Sequence, residues 1–372
     1  MPVVSSPDYA YSARLVAANL EPGTEYAYRI RANDTVITTG MDLTFHTQPL
    51  WQFRTDPPAV RFAVGSCAYI NEPRFDRPGK PYGGGYEIFD ALASRQPDFM
   101  LWLGDNIYLR EPDWSSRSGY VHRYSHTRSI PELQRLLQQT HHYAIWDDHD
   151  FGPNDANGSW VNKAIALDVF NAFWPNPQGV EELPGITTAF TYGDADFFLL
   201  DNRYERSAPD IQHSPAQILG RKQIDWLLNA LAYSRAPFKF VVVGGQILNP
   251  AAVYENHAVY AEEREYLINS IAEAGITGVV FLTGDRHHTE LSHYQHENGV
   301  EMYDVTVSPL TSSPHSPDDE KNPLRVDETL VVQRNFAILE ITGKRKERLL
   351  NITVYDEKGN TCWTKQISAA KH

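Results

Sequence analysis

Acidic, histidine and cysteine side chains recur in this 372-residue chain directly after short apolar runs. The segment AIWDDHDFGPN, residues 144–154, places four ionisable residues in a row after such a run. Carboxylates that leave water together repel one another, so a buried cluster of them is unfavourable without a counter-ion. The residues that follow the apolar runs in this way are Cys67, Asp105, Asp147, Asp148, His149, Asp201, Gln246, Asp285 and His287. Their chemistry indicates a metal site.

Each of these residues also has an ordinary structural interpretation when it is taken alone. Asp105 follows Gly104 and could cap the next helix. Cys67 could be a small buried apolar residue, and a single histidine such as His149 or His287 is often structural. We favour a shared site because several runs end in the same way, and an acidic cluster without cations would be destabilising.

Ligand chemistry narrows the metals. Carboxylate and amide oxygens favour hard cations, of which Ca²⁺ accepts six to eight oxygen ligands. A thiolate and a phenolate favour a more Lewis acidic ion, and Cys67 and Tyr108 are the candidates for these ligands. A metal-bound cysteine must be a thiolate, which also accounts for an isolated cysteine at this place.

The elements that position these residues can be predicted from periodicity. Continuous apolar runs predict strands at 61–67, 98–105, 143–148, 196–203, 238–245 and 278–285, with both faces of a sheet covered by helices. Amphipathic patterns between them predict helices at 85–96, 129–139, 217–231 and 261–275. This alternation indicates a layered α/β core, in which ligands bind beyond the carboxyl ends of the strands. Alternating residues from 335 onward predict antiparallel strands that add to one edge or face of the core.

The first 56 residues predict a separate, short antiparallel β unit, and residues 57–372 a catalytic domain. Within the unit, the segment LEPGTEY, residues 20–26, resembles the corner motif of fibronectin-type-III-like sandwiches, in which a tyrosine hydroxyl ties down a strand crossing. Such a sandwich takes about 100 residues, so either the unit is abbreviated or upstream strands and a leader are missing. The opening MPVVSSPDYA lacks the pattern of a signal peptide, and no apolar run is long enough to span a membrane.

Composition excludes some functions. The formal net charge is -14, which argues against electrostatic binding of nucleic acid or of an anionic bilayer. Bound divalent cations would offset part of that charge. The two cysteines, Cys67 and Cys362, do not make a disulfide framework.

Six segments together resemble the alkaline phosphatase D family, the PhoD-like branch of the calcineurin-type metallophosphoesterases. They are GSCAY, WLGDNIY, WDDHDFGPN, LLDNRYER, LGRKQIDWL and LTGDRHH. The resemblance extends from about residue 1 to residue 368 and implies an α/β metallophosphatase core. One departure is the stretch from Gly152 to Asn154, where relatives often carry another acid, and this puts a second calcium in doubt.

The resemblance implies a role for each candidate residue. Asp105 would bridge two metals, with Cys67, Tyr108 and His287 completing an Fe³⁺ site. Asp148 and Asp285 would serve mainly Ca²⁺. Asp147, Asn154 and Gln246 are further candidate ligands, of which Asn154 is included in the predicted metal site. Mn²⁺ and Zn²⁺ are alternative metals.

Three further residues would act around the metals. His149 would protonate the leaving group, with Asp150 orienting it. Arg203 would clamp a phosphoryl oxygen, or else form a salt bridge with Asp201 or Glu205.

The implied function is hydrolysis of phosphate monoesters, diesters or both, by in-line attack of a metal-bound hydroxide. The substrates would be small-molecule, lipid or polymer phosphate esters. One alternative is a specialised phosphodiesterase or phospholipase-D-like hydrolase, for which an open groove bordered by residues 308–320 would be typical. Another is a binding protein that keeps metals for stability alone. The family also implies a secreted or periplasmic location after removal of a leader, while the oligomeric state stays open.

Overall fold

The structure is a computed structural model that describes residues 4–7, 10–318 and 320–370. Its strands are β1 (Glu25–Tyr28), β2 (Arg31–Ala32), β3 (Thr35–Val36), β4 (Leu43–His46), β5 (Val60–Gly65), β6 (Phe99–Leu103), β7 (His141–Ile145), β8 (Thr188–Tyr192), β9 (Ala195–Leu199), β10 (Lys239–Val242), β11 (Val279–Thr283), β12 (Glu290–Gln295), β13 (Glu301–Thr306), β14 (Asn335–Thr342), β15 (Leu349–Asp356) and β16 (Thr361–Ser368). Its α-helices are α1 (Glu87–Ala93), α2 (Arg117–Arg128), α3 (Pro131–Gln139), α4 (Asp148–Phe151), α5 (Lys163–Phe173), α6 (Arg221–Tyr233) and α7 (Ala261–Glu273).

Two six-stranded sheets form the core. The first has the order β16-β15-β14-β5-β6-β7 and the second the order β12-β13-β11-β10-β9-β8. Strands β5, β6 and β7 are parallel, as are β9, β10, β11 and β13. Strand β7 forms one edge of the first sheet, the other three edges of the two sheets are formed by antiparallel strands, and β14 pairs with β5. The predicted addition of the C-terminal strands to the core is therefore confirmed.

The two sheets pack face to face through aromatic side chains. The ring centroid of Phe62 on β5 lies 5.2 Å from that of Phe197 on β9 and 5.1 Å from that of Phe240 on β10. Phe99 on β6 lies 5.3 Å from Phe197. Each sheet therefore has another sheet on one face, whereas the sequence predicted helices on both. A strand buried by a sheet has the same continuous apolar pattern as one buried by a helix, so periodicity does not distinguish them.

Helices cover the outer faces. On the second sheet, Val241 and Phe281 point away from the first sheet and pack in one cluster with Leu227 of α6 and Ile271 of α7. Both helices were predicted, as were α1, α3 and all six buried strands, with ends that differ by a few residues. The helices α2 and α5 were not predicted. In α2, the buried residues include Tyr120, Arg123 and Tyr124, which do not produce an aliphatic stripe.

The N-terminal segment forms two small ribbons. β1 pairs with β4, and β2 pairs with β3, both antiparallel. The Tyr26 hydroxyl accepts a hydrogen bond of 2.7 Å from the backbone N–H of Glu21, which confirms the predicted tyrosine corner. Residues 11–20 contain no strand, although their alternation suggested one. A boundary after residue 56 stays a prediction. Among the described residues, no helix is both long and apolar enough to cross a bilayer.

Candidate metal centre

The carboxyl ends of β5, β6, β7 and β11 meet at one end of the two sheets. The backbone N–H of Cys67 donates to the carbonyl oxygen of Gly104 at 3.2 Å, which joins the tips of β5 and β6. Gly104 and Gly284 allow this close approach. A Cβ on Gly104 would lie 2.8 Å from the Cβ of Asp147, and one on Gly284 would lie 2.7 Å from the Cβ of Ser66. The glycines that precede the acidic residues therefore let the strand tips converge.

Four of the predicted ligands have left-handed backbone conformations. Their φ angles are +60° at Cys67, +51° at Asp105, +67° at Asp285 and +55° at His287. This region is unfavourable for residues other than glycine and persists where the surrounding structure enforces it, often at functional sites. The four conformations occur where the chain leaves β5, β6 and β11, and they place these residues around the convergent tips.

Cys67, Asp105 and His287 form the first donor cluster. One ligand atom of each lies within 4.8 Å of the others, and all three residues are buried. The Cys67 thiol lies 3.7 Å from Oδ2 of Asp105, and the Tyr108 hydroxyl lies 3.3 Å from Nε2 of His287. The structure therefore brings together all four residues that were predicted for the Fe³⁺ site. A thiol, a carboxylate, an imidazole and a phenol within this space suit a Lewis acidic metal.

Asp105, Asp148 and His149 form the second cluster, with ligand atoms again within 4.8 Å of one another. Asp105 is common to both clusters, which is the position of a bridging carboxylate. Asp147 is the N-cap of the short helix α4, and its side chain accepts a hydrogen bond from the backbone N–H of Asp148 at 3.1 Å. This cap fixes the backbone of Asp148, so within the local sequence DDHD the carboxylate of Asp147 helps to position that of Asp148.

Electrostatics favour a cation in these clusters. Burial and the nearby carboxylates of Asp148 and Asp147 raise the pKa of Asp105 well above its ordinary value. Burial and the charge of Asp105 likewise raise the pKa of the Cys67 thiol. Burial lowers the pKa of His287 to about 3, so its imidazole is neutral and its lone pair is available. The buried donors therefore fit a metal ion, whose positive charge would remove the mutual repulsion.

A cavity of about 530 Å³ opens above both clusters. Asp285 and Asn154 lie in its wall, and Asp285 is not a member of either cluster. The exposed Asn154 lies toward the solvent side. His315 and Ser316 of segment 308–320 line the cavity, so this segment borders the site as predicted. Lining residues that were not predicted are Tyr82, Asp155, Arg206, Tyr254, Glu255, Arg286 and His315.

Arg203 does not reach the cavity, because it is completely buried among acidic residues. Its Nε donates to Oδ1 of Asp147 at 2.6 Å, and Nη1 donates to Oε1 of Glu255 at 2.9 Å. Nη2 lies 3.8 Å from Oδ1 of Asp148. The acidic group of Asp147, Asp148 and Glu255 thus already has a cation from the protein. The prediction that Arg203 clamps a phosphoryl oxygen does not fit this placement. Arg203 instead forms salt bridges, as the alternative proposed, but with Asp147 and Glu255 and not with Asp201 or Glu205.

Asp150 supports the loops of the site and does not contact His149 through any described hydrogen bond. Its carboxylate accepts hydrogen bonds from the backbone N–H groups of Asn106 and Asp147, at 3.1 and 3.0 Å, and from the Tyr124 hydroxyl at 3.3 Å. The prediction that Asp150 orients His149 is therefore wrong. Instead, the ring of His149 stacks on Tyr108, with centroids 4.3 Å apart.

Asp201 and Gln246 also serve the framework. The carboxylate of Asp201 accepts hydrogen bonds from the backbone N–H groups of Ile186 and Arg203, at 2.9 and 2.8 Å. The side-chain amide of Gln246 donates to the buried carboxylate of Glu290 at 2.8 Å. Neither residue lines the cavity. A position at the end of a strand was therefore not enough to distinguish Asp201 and Gln246 from the predicted metal ligands.

Comparisons with known proteins agree with this geometry. The family model of the PhoD-like phosphatases matches residues 62–347. Alkaline phosphatase D of Bacillus subtilis (strain 168) is 25% identical over an alignment 333 residues long, which covers 76% of this chain and 54% of that protein. The chain therefore spans about half the length of this curated relative.

Two solved structures are similar in fold. A structure of PhoD aligns with this chain with a TM-score of 0.76 and 19% sequence identity. The alignment covers 99% of this chain and 81% of the PhoD chain. A purple acid phosphatase from yellow lupin (Lupinus luteus) seeds aligns with a TM-score of 0.66 and 13% sequence identity. This alignment covers 94% of this chain and 60% of the lupin protein chain. The predicted α/β metallophosphatase fold is confirmed by these likenesses. Since the family model matches well over half of the sequence, the chain belongs to the PhoD-like phosphatase family.

Proposed function

We propose that this chain is a metal-dependent phosphoesterase of the alkaline phosphatase D type, which hydrolyses phosphate monoesters, diesters or both. The observation that carries the proposal is the pair of donor clusters that share Asp105 at the base of one cavity. Two cations held by a common carboxylate form the arrangement that many phosphate ester hydrolases use. Family membership and the relative named alkaline phosphatase D support the same reaction class.

The donor types support different metals at the two positions. Cys67, Tyr108 and His287 with Asp105 would hold Fe³⁺, and Asp148 with Asp285 and Asn154 would supply oxygen ligands to Ca²⁺. Mn²⁺ or Zn²⁺ are alternative occupants. When bound, such cations supply the Lewis acidity that activates water for attack on phosphorus, and they offset the charge of the phosphoryl oxygens.

The protein's own residues supply proton transfer and positioning. His149 is the proposed donor of a proton to the leaving alkoxide, because its side chain is 23% exposed at the cavity and its Nε2 lies 4.0 Å from Oδ2 of Asp148. Tyr108 holds the ring by stacking. Arg203 is a positioning residue that holds Asp147, and through this N-cap it fixes Asp148.

The substrate preference and the location are proposals as well. Segment 308–320 borders the cavity, whose volume of about 530 Å³ leaves room for a substituent that extends from the phosphorus, as in a diester. This supports the phosphodiesterase or phospholipase-D-like alternative alongside monoester hydrolysis. A secreted or periplasmic location rests on the family resemblance, and fractionation of producing cells with an antibody against the chain would test it.

The test of the function is turnover of p-nitrophenyl phosphate and bis-p-nitrophenyl phosphate by metal-replete protein, before and after EDTA. We expect EDTA to abolish turnover of whichever ester is a substrate, and added metal to restore it. The variant Cys67→Ser should lose at least one bound metal and most activity, whereas Cys362→Ser is the matched control because Cys362 lies on β16. Metal-replete protein that hydrolyses neither ester would support the alternative of a metal-stabilised binding protein.

A further inference from the structure

One part of the cavity wall is used by neither donor cluster. Arg286, Tyr254 and Glu320 line it, and they come from three segments of the chain that follow β11, β10 and the 308–318 stretch. Arg286 lies between Asp285 and His287, so its guanidinium is carried next to the metal ligands. The three residues therefore bound the region that a substrate must cross to reach the clusters.

Arg286 has an unused hydrogen-bond donor. The residue is 7% exposed, and a terminal nitrogen of its guanidinium forms an ion pair with Glu320. Its Nε is buried and has no hydrogen-bond partner within the described part of the chain. A buried N–H without an acceptor is unfavourable. Arg286 and Glu320 both line the cavity, so an anionic ligand there would compete with Glu320 for the same guanidinium.

Tyr254 presents an open aromatic face at the same place. Its side chain is 78% exposed, although it lines the cavity. The guanidinium of Arg286 lies 4.6 Å from the ring centroid, so the ring already packs against a planar group. The backbone of Tyr254 has a φ of +50°, which is unfavourable for an aromatic residue. The fold therefore holds an exposed ring at the mouth of the cavity in a strained conformation.

We infer that Arg286 and Tyr254 form a subsite for phosphate esters whose alcohol carries a planar ring, such as aryl or nucleoside esters. Arg286 takes a phosphoryl oxygen through the part of its guanidinium that lines the cavity, and the ring of the alcohol stacks on the open face of Tyr254. Glu320 competes with the phosphoryl group for the guanidinium. This inference rests on the proposed phosphoesterase function and adds a substrate class to it.

Binding of two phosphonates tests the subsite without turnover, because their carbon–phosphorus bond is not an ester. Phenylphosphonate and methylphosphonate differ in the ring alone, and calorimetry of the metal-replete protein gives both affinities. We expect phenylphosphonate to bind more tightly, and Tyr254→Leu to reduce that preference by about five- to twentyfold. Tyr254→Phe should retain it. Tyr233→Leu is the matched control, since Tyr233 is 87% exposed on α6 and does not line the cavity.

The role of Arg286 is tested with the same ligands. Arg286→Gln should weaken both phosphonates by about tenfold or more, since a charge-assisted hydrogen bond is lost. Glu320→Gln should tighten both, and it removes a competing charge without shortening the side chain. An unchanged ring preference in Tyr254→Leu, or unchanged phosphonate affinity in both Arg286→Gln and Glu320→Gln, would overturn the subsite. Hydrolysis of p-nitrophenyl phosphate or bis-p-nitrophenyl phosphate by the parent protein decides the proposed function separately.

Discussion

Nδ1 of His287 lies 2.7 Å from the carbonyl oxygen of Ser313. A carbonyl oxygen is an acceptor only, so Nδ1 carries the proton and Nε2 presents its lone pair toward Tyr108 and the rest of the first cluster. A hydrogen bond of this kind fixes the tautomer of a metal-binding histidine and raises its basicity. The segment 308–320 therefore both borders the cavity and orients a predicted ligand.

Replacing His287 by alanine should lower metal content and activity together. The first cluster would lose its one neutral nitrogen donor. Replacing a residue that supports a metal ligand typically lowers metal affinity or activity about 10–100-fold, and we expect loss of a ligand to have at least this effect. Elemental analysis and ester turnover are the measurements. His296→Ala is the control, because His296 follows β12 and does not line the cavity. Full metal content in His287→Ala would exclude His287 as a ligand.

His149→Ala should slow esters of poorly acidic alcohols far more than p-nitrophenyl esters. A general acid matters when the leaving alkoxide needs a proton, and p-nitrophenolate leaves without one. The measurement is kcat/KM for p-nitrophenyl phosphate and for an alkyl phosphate in the parent and the variant. We expect a loss of about 100-fold or more for the alkyl ester and a much smaller loss for the aryl ester. Equal losses would remove His149 from the acid role.

The sequence predicted the first cluster because each member lies next to the end of a buried apolar run. Cys67, Asp105 and His287 all share that local signal, and the glycines before Asp105 and Asp285 accompany it. Tyr254 has no such signal, since it lies in a long connection whose path depends on the whole fold. Its place at the cavity could not be predicted from its neighbours in sequence.

The role of Arg203 shows a different limit of sequence-based prediction. Its two carboxylate partners, Asp147 and Glu255, lie 56 and 52 residues away in the chain. The sequence around Arg203 therefore suggested only the local acids Asp201 and Glu205 as its salt-bridge partners. The packing of one sheet on the other was missed for a similar reason, because a strand's apolar pattern does not identify what covers it.

Arg203→Met should destabilise the protein strongly. The substitution leaves the buried carboxylate of Asp147 without its cation, whereas Glu255 keeps its ion pair with Arg206, and breaking a buried pair in this way costs about 3–5 kcal/mol. The control is Arg221→Met, which removes an exposed ion pair with Asp225 on α6 and should cost at most about 0.5 kcal/mol. Urea unfolding of the metal-replete proteins measures both. A similar small cost at both positions would show that Arg203 is not needed to hold the acidic group.

His142 should make the protein less stable as the pH falls below about 6.5. Burial lowers the pKa of His142 to about 3, and its Nδ1 accepts a hydrogen bond of 3.0 Å from the indole N–H of Trp102. Between pH 6.5 and 3 the unfolded chain binds a proton at this residue that the folded chain does not, so stability is complete above the unfolded pKa and is lost toward acid. From pH 7.5 to pH 5 this residue alone should remove about 2 kcal/mol from the free energy of unfolding. Urea unfolding of His142→Gln should show a correspondingly smaller decrease over that interval, with His213→Gln at an exposed position as the control for residue type. A variant whose decrease equals that of the parent would mean that His142 takes up its proton equally in both states.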